Sequence, residues 1–134
     1  MRKLVVAMGI LALAATAGAD EAKKYEVKVT PATAKVGAKS TAKFQIDAAP
    51  GSHVSDEAPL KISLKAEGLE LGKDKLTTAD IVEGKGASPK FEVPFTATKP
   101  GQDAIEAKAT FIVCTKELCE REQEQIRIPV TVAK

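Results

Sequence analysis

AIEAKATFIVCTKELCEREQEQIRIPVTV, residues 104–132, holds both cysteines of the chain, and apolar residues fall at every second position on either side of them. Ile105, Ala107, Ala109, Phe111 and Val113 lead into Cys114; Ile126, Ile128, Val130 and Val132 follow Cys119. A period of two sends alternate side chains to opposite faces, so each run reads as a half-buried β-strand. With Thr115 to Leu118 as the loop of a hairpin, Cys114 faces Cys119, Ala107 faces Ile126 and Ile105 faces Ile128. Both strands then turn their apolar residues to one face, whereas a slip of one residue would expose half of them. Directly opposed residues lie about 4.5–5.5 Å apart at Cα, within a disulfide's reach. Because Phe111 and Val113 point inward, Cys114 is expected on the outer face with Cys119 beside it, both accessible. A structural bridge, a redox-active pair, free thiols and a metal site all remain open at this point.

The same alternation recurs upstream in Tyr25, Val27, Val29; in Ala42, Phe44, Ile46; in Leu60, Ile62, Leu64; and in Phe91, Val93, Phe95. The residues between them are nearly all polar, among them Lys28, Lys43, Lys61 and Glu92, and they read as solvated sheet surface. Val36-Gly37, Pro50-Gly51, Gly84-Lys85-Gly86 and Pro100-Gly101 supply turns between the runs. This pattern predicts an all-β fold, an antiparallel β-sandwich of about seven strands of the immunoglobulin-like kind. Pro94 and Pro129 lack a ladder donor, which predicts edge strands or bulges. Asp80 to Glu83 is expected to add a short strand, and the alternation assigns nothing to residues 69–78.

At the amino end, Arg2 and Lys3 precede an apolar run from Leu4 to Ala15, and Ala17-Gly18-Ala19 offers small residues for a signal peptidase. Residues 1–19 are expected to be a cleaved signal peptide, leaving residues 20–134 as one domain in the periplasm or outside the cell. No later segment approaches the roughly 18 apolar residues of a membrane span, so no membrane insertion is expected after cleavage. Arg2 and Lys3 are the leader's only charges, and without them 18 basic residues meet 18 acidic ones. Neutrality and interspersed signs argue against a nucleic-acid partner.

Other motifs are weak. His53 is the only histidine, and Asp56 and Glu57 nearby do not complete the three or four ligands a metal needs. Its functional alternative is a hydrogen-bonding or proton-transfer neighbour of the thiols. Residues 68–73 are one residue short of a phosphate loop, and Asp74 stands where a Ser or Thr would bind magnesium. The serines lie in no nucleophile elbow, so neither a hydrolase nor a transferase site is expected, and no cofactor or metal is implied.

Residues 111–119 (FIVCTKELC) and the β-branched strand after them resemble the cysteine hairpin of the periplasmic amino-terminal domain of the thiol-disulfide interchange protein DsbD. Gly51-Ser52-His53-Val54 before a strand, the Pro89 to Thr98 strand and the Pro100-Gly101 turn are similar as well. The likeness runs from about residue 24 to 133, with the cysteine hairpin its most specific part. It implies an immunoglobulin-like sandwich in which Cys114 and Cys119 are the catalytic redox pair, joined as a disulfide when oxidised. It also implies protein partners, thioredoxin-like redox proteins among them. The chain departs from the pattern in two places: Glu120-Arg121-Glu122 replaces prolines after Cys119, and Ser52 to Pro59 contains no aromatic to cap the thiols. No membrane electron conduit lies within this sequence, so electrons are expected from a separate protein. A second function stays open beside exchange, a non-enzymatic envelope module that binds a protein partner and keeps the disulfide as a staple.

Overall fold

The longest ladder joins β9 (Gly101–Cys114) to β10 (Cys119–Ala133), in register from Cys114 opposite Cys119 to Gly101 opposite Val132. Ala107 faces Ile126 and Ile105 faces Ile128, the register expected from the sequence. The computed structural model describes residues 24–134, so the leader and its cleavage site lie outside the described residues. The remaining strands are β1 (Tyr25–Thr30), β2 (Ala32–Lys35), β3 (Lys39–Ala48), β4 (His53–Val54), β5 (Lys61–Ala66), β6 (Leu69–Leu71), β7 (Lys75–Thr77) and β8 (Lys90–Ala97).

They form two sheets, one in the order β1-β3-β8-β6 and the other β2-β10-β9-β5-β7, with β4 paired to the end of β9. Four strands of the first sheet and β10-β9-β5 of the second follow the two sheets of an immunoglobulin constant-type sandwich. Six of these seven strands are the ones expected from the alternation and β6 is not; β2, β4 and β7 are further short additions. Pro31 stands where the chain changes sheets, since Thr30 pairs with Lys43 in one and Ala32 with Val130 in the other.

Alternation becomes burial. Ala42, Phe44 and Ile46 of β3, Ile62 and Leu64 of β5, and Phe91, Val93 and Phe95 of β8 meet the inner residues of β9 and β10 in one core. Phe44 stacks on Phe91 at 5.1 Å between ring centres. Among the described residues no charged, amide or aliphatic-hydroxyl side chain is buried, so the free energy of the core is chiefly hydrophobic burial, with the Tyr25 phenol at its margin.

The proline expectation needs refining. Both β8 and β10 have neighbours on both sides, but β6 covers only Phe95 to Ala97 and β2 only Val130 to Ala133. Pro94 and Pro129 each lie one residue beyond those short ladders, where no donor is required. Residues 80–83 do not form the expected strand. Residues 78–80 make a 3-10 turn closed by a capping box between Thr77 and Asp80, and Glu83 makes one isolated bridge to Lys90. Lys73 and the Thr77 backbone N–H hold the Asp80 carboxyl below its usual range.

Tyr25 ties the sheets together. Its ring meets Phe111 edge-on at 5.0 Å, and its O–H donates to the Glu124 carboxylate. Burial first, then that hydrogen bond and the charges of Glu124 and Glu122, push the phenol well above its usual value. A raised phenol favours the fold fully below about pH 10, the unfolded value, and the contribution is lost as pH climbs beyond it. Tyr25→Phe should therefore flatten the fall in melting temperature between pH 9 and 11.5 relative to the native chain. An equal fall in both would show that Tyr25 carries no part of the alkaline response.

Candidate functional site

Inward packing of Phe111 and Val113 turns Cys114 to the outer face of β9, and the turn at residues 115–118 brings Cys119 back beside it. The Thr115 N–H donates to Leu118 O at 2.8 Å, which makes the next pair outward a non-hydrogen-bonded one, where opposed strands come closest. Cys114 and Cys119 occupy that pair, 4.0 Å apart at Cα, and are joined by a disulfide. Thr115 Oγ1 accepts from the Glu117 and Leu118 N–H groups, both at 3.3 Å, and so stiffens the turn.

The two sulfurs are not equivalent. Cys119 is exposed, as expected, whereas Cys114 is only 7% exposed, and this corrects the expectation that both are accessible. The cause is β4, which pairs His53 with Cys114 and Val54 with Val113. Val54 is buried in the core; its N–H donates to Ala87 O at 2.9 Å, and the Ser55 N–H donates to Ile112 O at 2.8 Å. The Gly84-Lys85-Gly86 turn leads to Ala87, and Gly84 lies so close to Ser88 that a Cβ would fall 2.0 Å from its carbonyl. Cys114 thus sits on an inner strand, and Cys119 on a stretch of β10 that no described strand covers.

His53 is exposed and directly opposite Cys114, so one outer row reads His53, Cys114, Cys119 across three strands. The sequence raised His53 as a neighbour of the thiols without linking them, because a two-residue strand is too short to show a period. His53, Asp56 and Glu57 do not gather into a metal-binding group, and no such group of three occurs among the described residues.

Near the tip, Glu120, Glu122 and Glu124 lie opposite Val113, Phe111 and Ala109, on the inner face of β10. Lys24 pairs with Glu120 at 3.1 Å. Arg121, opposite Ile112, shares the outer face with both cysteines. Read along the sequence, the glutamates around Cys119 oppose a thiolate. In the fold Glu120 and Glu122 point to the other side of the strand, leaving Arg121 as the charged residue of the row next to the sulfurs. Leu118, 47% exposed, forms an apolar shoulder beside Cys119.

No protein-family model matches the sequence, and no curated protein matches it either. Among solved structures, the chain is similar to WR4, a C. elegans MSP family member, at 16% identity over 80% of this chain and 97% of that one, with a TM-score of 0.45. It is also similar to murine CRIg, at 10% identity over 82% and 98% of the two chains and a TM-score of 0.45. Domains 4 and 5 of the S-layer protein SbsC are 12% identical over 84% of this chain, with a TM-score of 0.45. The match spans 52% of that two-domain structure. Among the described residues no helix is long and apolar enough to cross a membrane.

Proposed function

We propose that this domain takes part in thiol-disulfide exchange in the bacterial periplasm or outside the cell, with Cys114 and Cys119 cycling between disulfide and dithiol. The observation that carries the reading is the unequal exposure of the two sulfurs. A partner thiolate attacks the open Cys119 Sγ, the Cys114–Cys119 bond breaks, and its electron pair leaves on Cys114 Sγ, which takes a proton. A second partner thiol then attacks the mixed disulfide and releases Cys119. The partner dithiol is oxidised and the hairpin pair reduced by two electrons and two protons. Run backward, the same steps oxidise the hairpin.

Three further features support the reading. The resemblance of residues 111–119 to the DsbD hairpin points to this chemistry, and the amino-terminal leader points to an oxidising compartment. Closing so small a ring restricts the unfolded chain by only about 2 kcal/mol on the loop-entropy model. A hairpin with its register set along the whole of β9 does not depend on that bond, so the fold is expected to survive in both redox states.

Equilibration with glutathione tests the proposal. A reduction potential in the range of exchange proteins, about −270 to −120 mV, is expected. A potential below about −300 mV, together with retained partner binding when both cysteines are serine, would leave the bond as a staple in a protein-binding module.

A further inference from the structure

The charges of this chain are interspersed in sequence and sorted in space. The outer face of the β10-β9-β5-β7 layer carries Lys61, Lys65, Lys75, Lys108, Arg121 and Arg127 against a single carboxylate, Glu106. Only Arg127 has an ion-pair partner among the described residues, Glu106 at 3.7 Å. The opposite outer face is balanced. There Lys28 pairs with Asp47 at 3.0 Å and Lys43 with Glu92 at 4.0 Å. Lys39 and Lys90 on that face are matched in number by Glu26 and Glu70.

Register sets the cations in rows that climb toward the sulfurs. Lys65, Glu106 and Arg127 form one row; Lys75, Ser63, Lys108 and Gln125 the next; then Lys61, Thr110 and Gln123. Ile112 with Arg121 follows, and the last row holds the cysteines. With strands about 4.8 Å apart and same-face residues about 6.8 Å apart along them, Lys108 lies on the diagonal from Lys61, Lys65 and Arg127 at about 8 Å, roughly one Debye length at physiological salt, and Arg121 stands farther off at about 12 Å from Lys61. An open depression of about 620 Å³ on this face, lined by Lys61, Lys108, Thr110, Ile112 and Arg121 among others, reaches the row of Ile112 and Arg121, one row short of the cysteines.

We infer that the outer face of this sheet is the docking surface for a protein partner whose own reactive thiol is surrounded by acidic residues. Charge complementarity carries the inference, because the face that leads to the exposed Cys119 holds six cations against one carboxylate, five of them without an ion-pair partner among the described residues. Like-signed charges lining a surface steer an oppositely charged partner and raise its encounter rate. An extended polyanion fits less well, since Glu106 interrupts the patch and Glu120, Glu122 and Glu124 line the other side of β10. The inference rests on the exchange reading and names the partner chemistry for that same site.

The test uses two probe thiols, peptides with one cysteine flanked by four glutamates or by four lysines. Each reduces the disulfide of the full domain by attack on Cys119 with loss of the Cys114 thiolate, and rates are referred to the thiolate concentration. At low ionic strength the acidic probe should react about tenfold faster than the basic one or more, the gap closing at 0.5 M salt. Lys61→Glu with Lys108→Glu leaves four cations against three carboxylates on the face and should remove most of the preference, whereas Lys39→Glu on the balanced face should leave it unchanged. A thiol-free peptide with the same glutamates separates the two ideas. Its titration should shift the amide resonances around Lys61, Lys108 and Arg121 whether or not the sulfurs exchange. A rate ratio near one for the native domain, or a preference indifferent to the charge reversals, would overturn the inference. Tight binding of heparin or anionic phospholipid vesicles on this face, abolished by the same reversals, would also overturn it in favour of a polyanion or membrane surface.

Discussion

Cys114→Ser is expected to trap partners as mixed disulfides, whereas Cys119→Ser abolishes exchange altogether. The asymmetry follows from β4. An incoming sulfur must approach in line with the bond it breaks, and only Cys119 offers an open line; Cys114 is held on an inner strand between His53 and Cys119. With Cys114 gone, the exposed thiolate still opens a partner's disulfide and forms one new S–S bond, but no neighbouring thiol remains to release it. With Cys119 gone, the remaining thiol is covered. Mass spectrometry after incubation with glutathione disulfide reads the difference directly: a full glutathione adduct on Cys114→Ser and none on Cys119→Ser. Equal adducts on both would remove the assignment of Cys119 as the attacking sulfur. Either variant should stay folded, since the ring closure lost is worth only about 2 kcal/mol.

Phe111→Ala should produce the largest loss of stability of any single truncation in this domain. Phe111 is fully buried, three residues from Cys114, and its ring supports the edge of Tyr25 from the other sheet. Removing it leaves a cavity between the layers and takes away the contact beneath the Tyr25 to Glu124 hydrogen bond. Large-to-small changes of this kind cost about 3–5 kcal/mol. For a domain of this size that is a fall in melting temperature of more than about 10 °C. Ile112→Ala, on the half-buried outer face of the same strand, is the comparison and should cost far less. Similar losses from the two would mean that the alternation of burial along β9 does not govern its energetics.

Strands β3, β5, β8, β9 and β10 were legible because each buries one face, so period two in the sequence is period two in burial. The cysteine hairpin showed its register for the same reason: one residue of slip would have sent either Ile105 and Ala107 or Ile126 and Ile128 to water. The short strands were not legible. β4, β6 and β7 are held by pairing to longer neighbours, and two or three residues cannot display a period. Residues 80–83 misled because Ile81 and Val82 look strand-like. A Thr at 77 with Asp three residues on is the signature of a capped turn, and that local chemistry prevailed.

At the site, the identity of the pair and its facing geometry were legible, but its exposure was not. Exposure depends on His53 and Val54, some sixty residues upstream, adding a third strand beside Cys114. The distribution of charge was hidden for a related reason. Lysines and glutamates alternate with apolar residues in both sheets, and only the strand order reveals that cations and carboxylates balance on one layer while the other layer is left basic.

The neighbours that close the second sheet, β2 and β10, are the chain's second strand and its last, with Ala32 set opposite Val130. Pro31 turns β2 away from the sheet of β1, so β2 has no partner in the second sheet until residues 130–133 reach it. Joining segments so far apart in sequence requires a long loop closure, which places the docking of β2 among the late events of folding. That seam is the part of the sandwich whose assembly waits on all the rest.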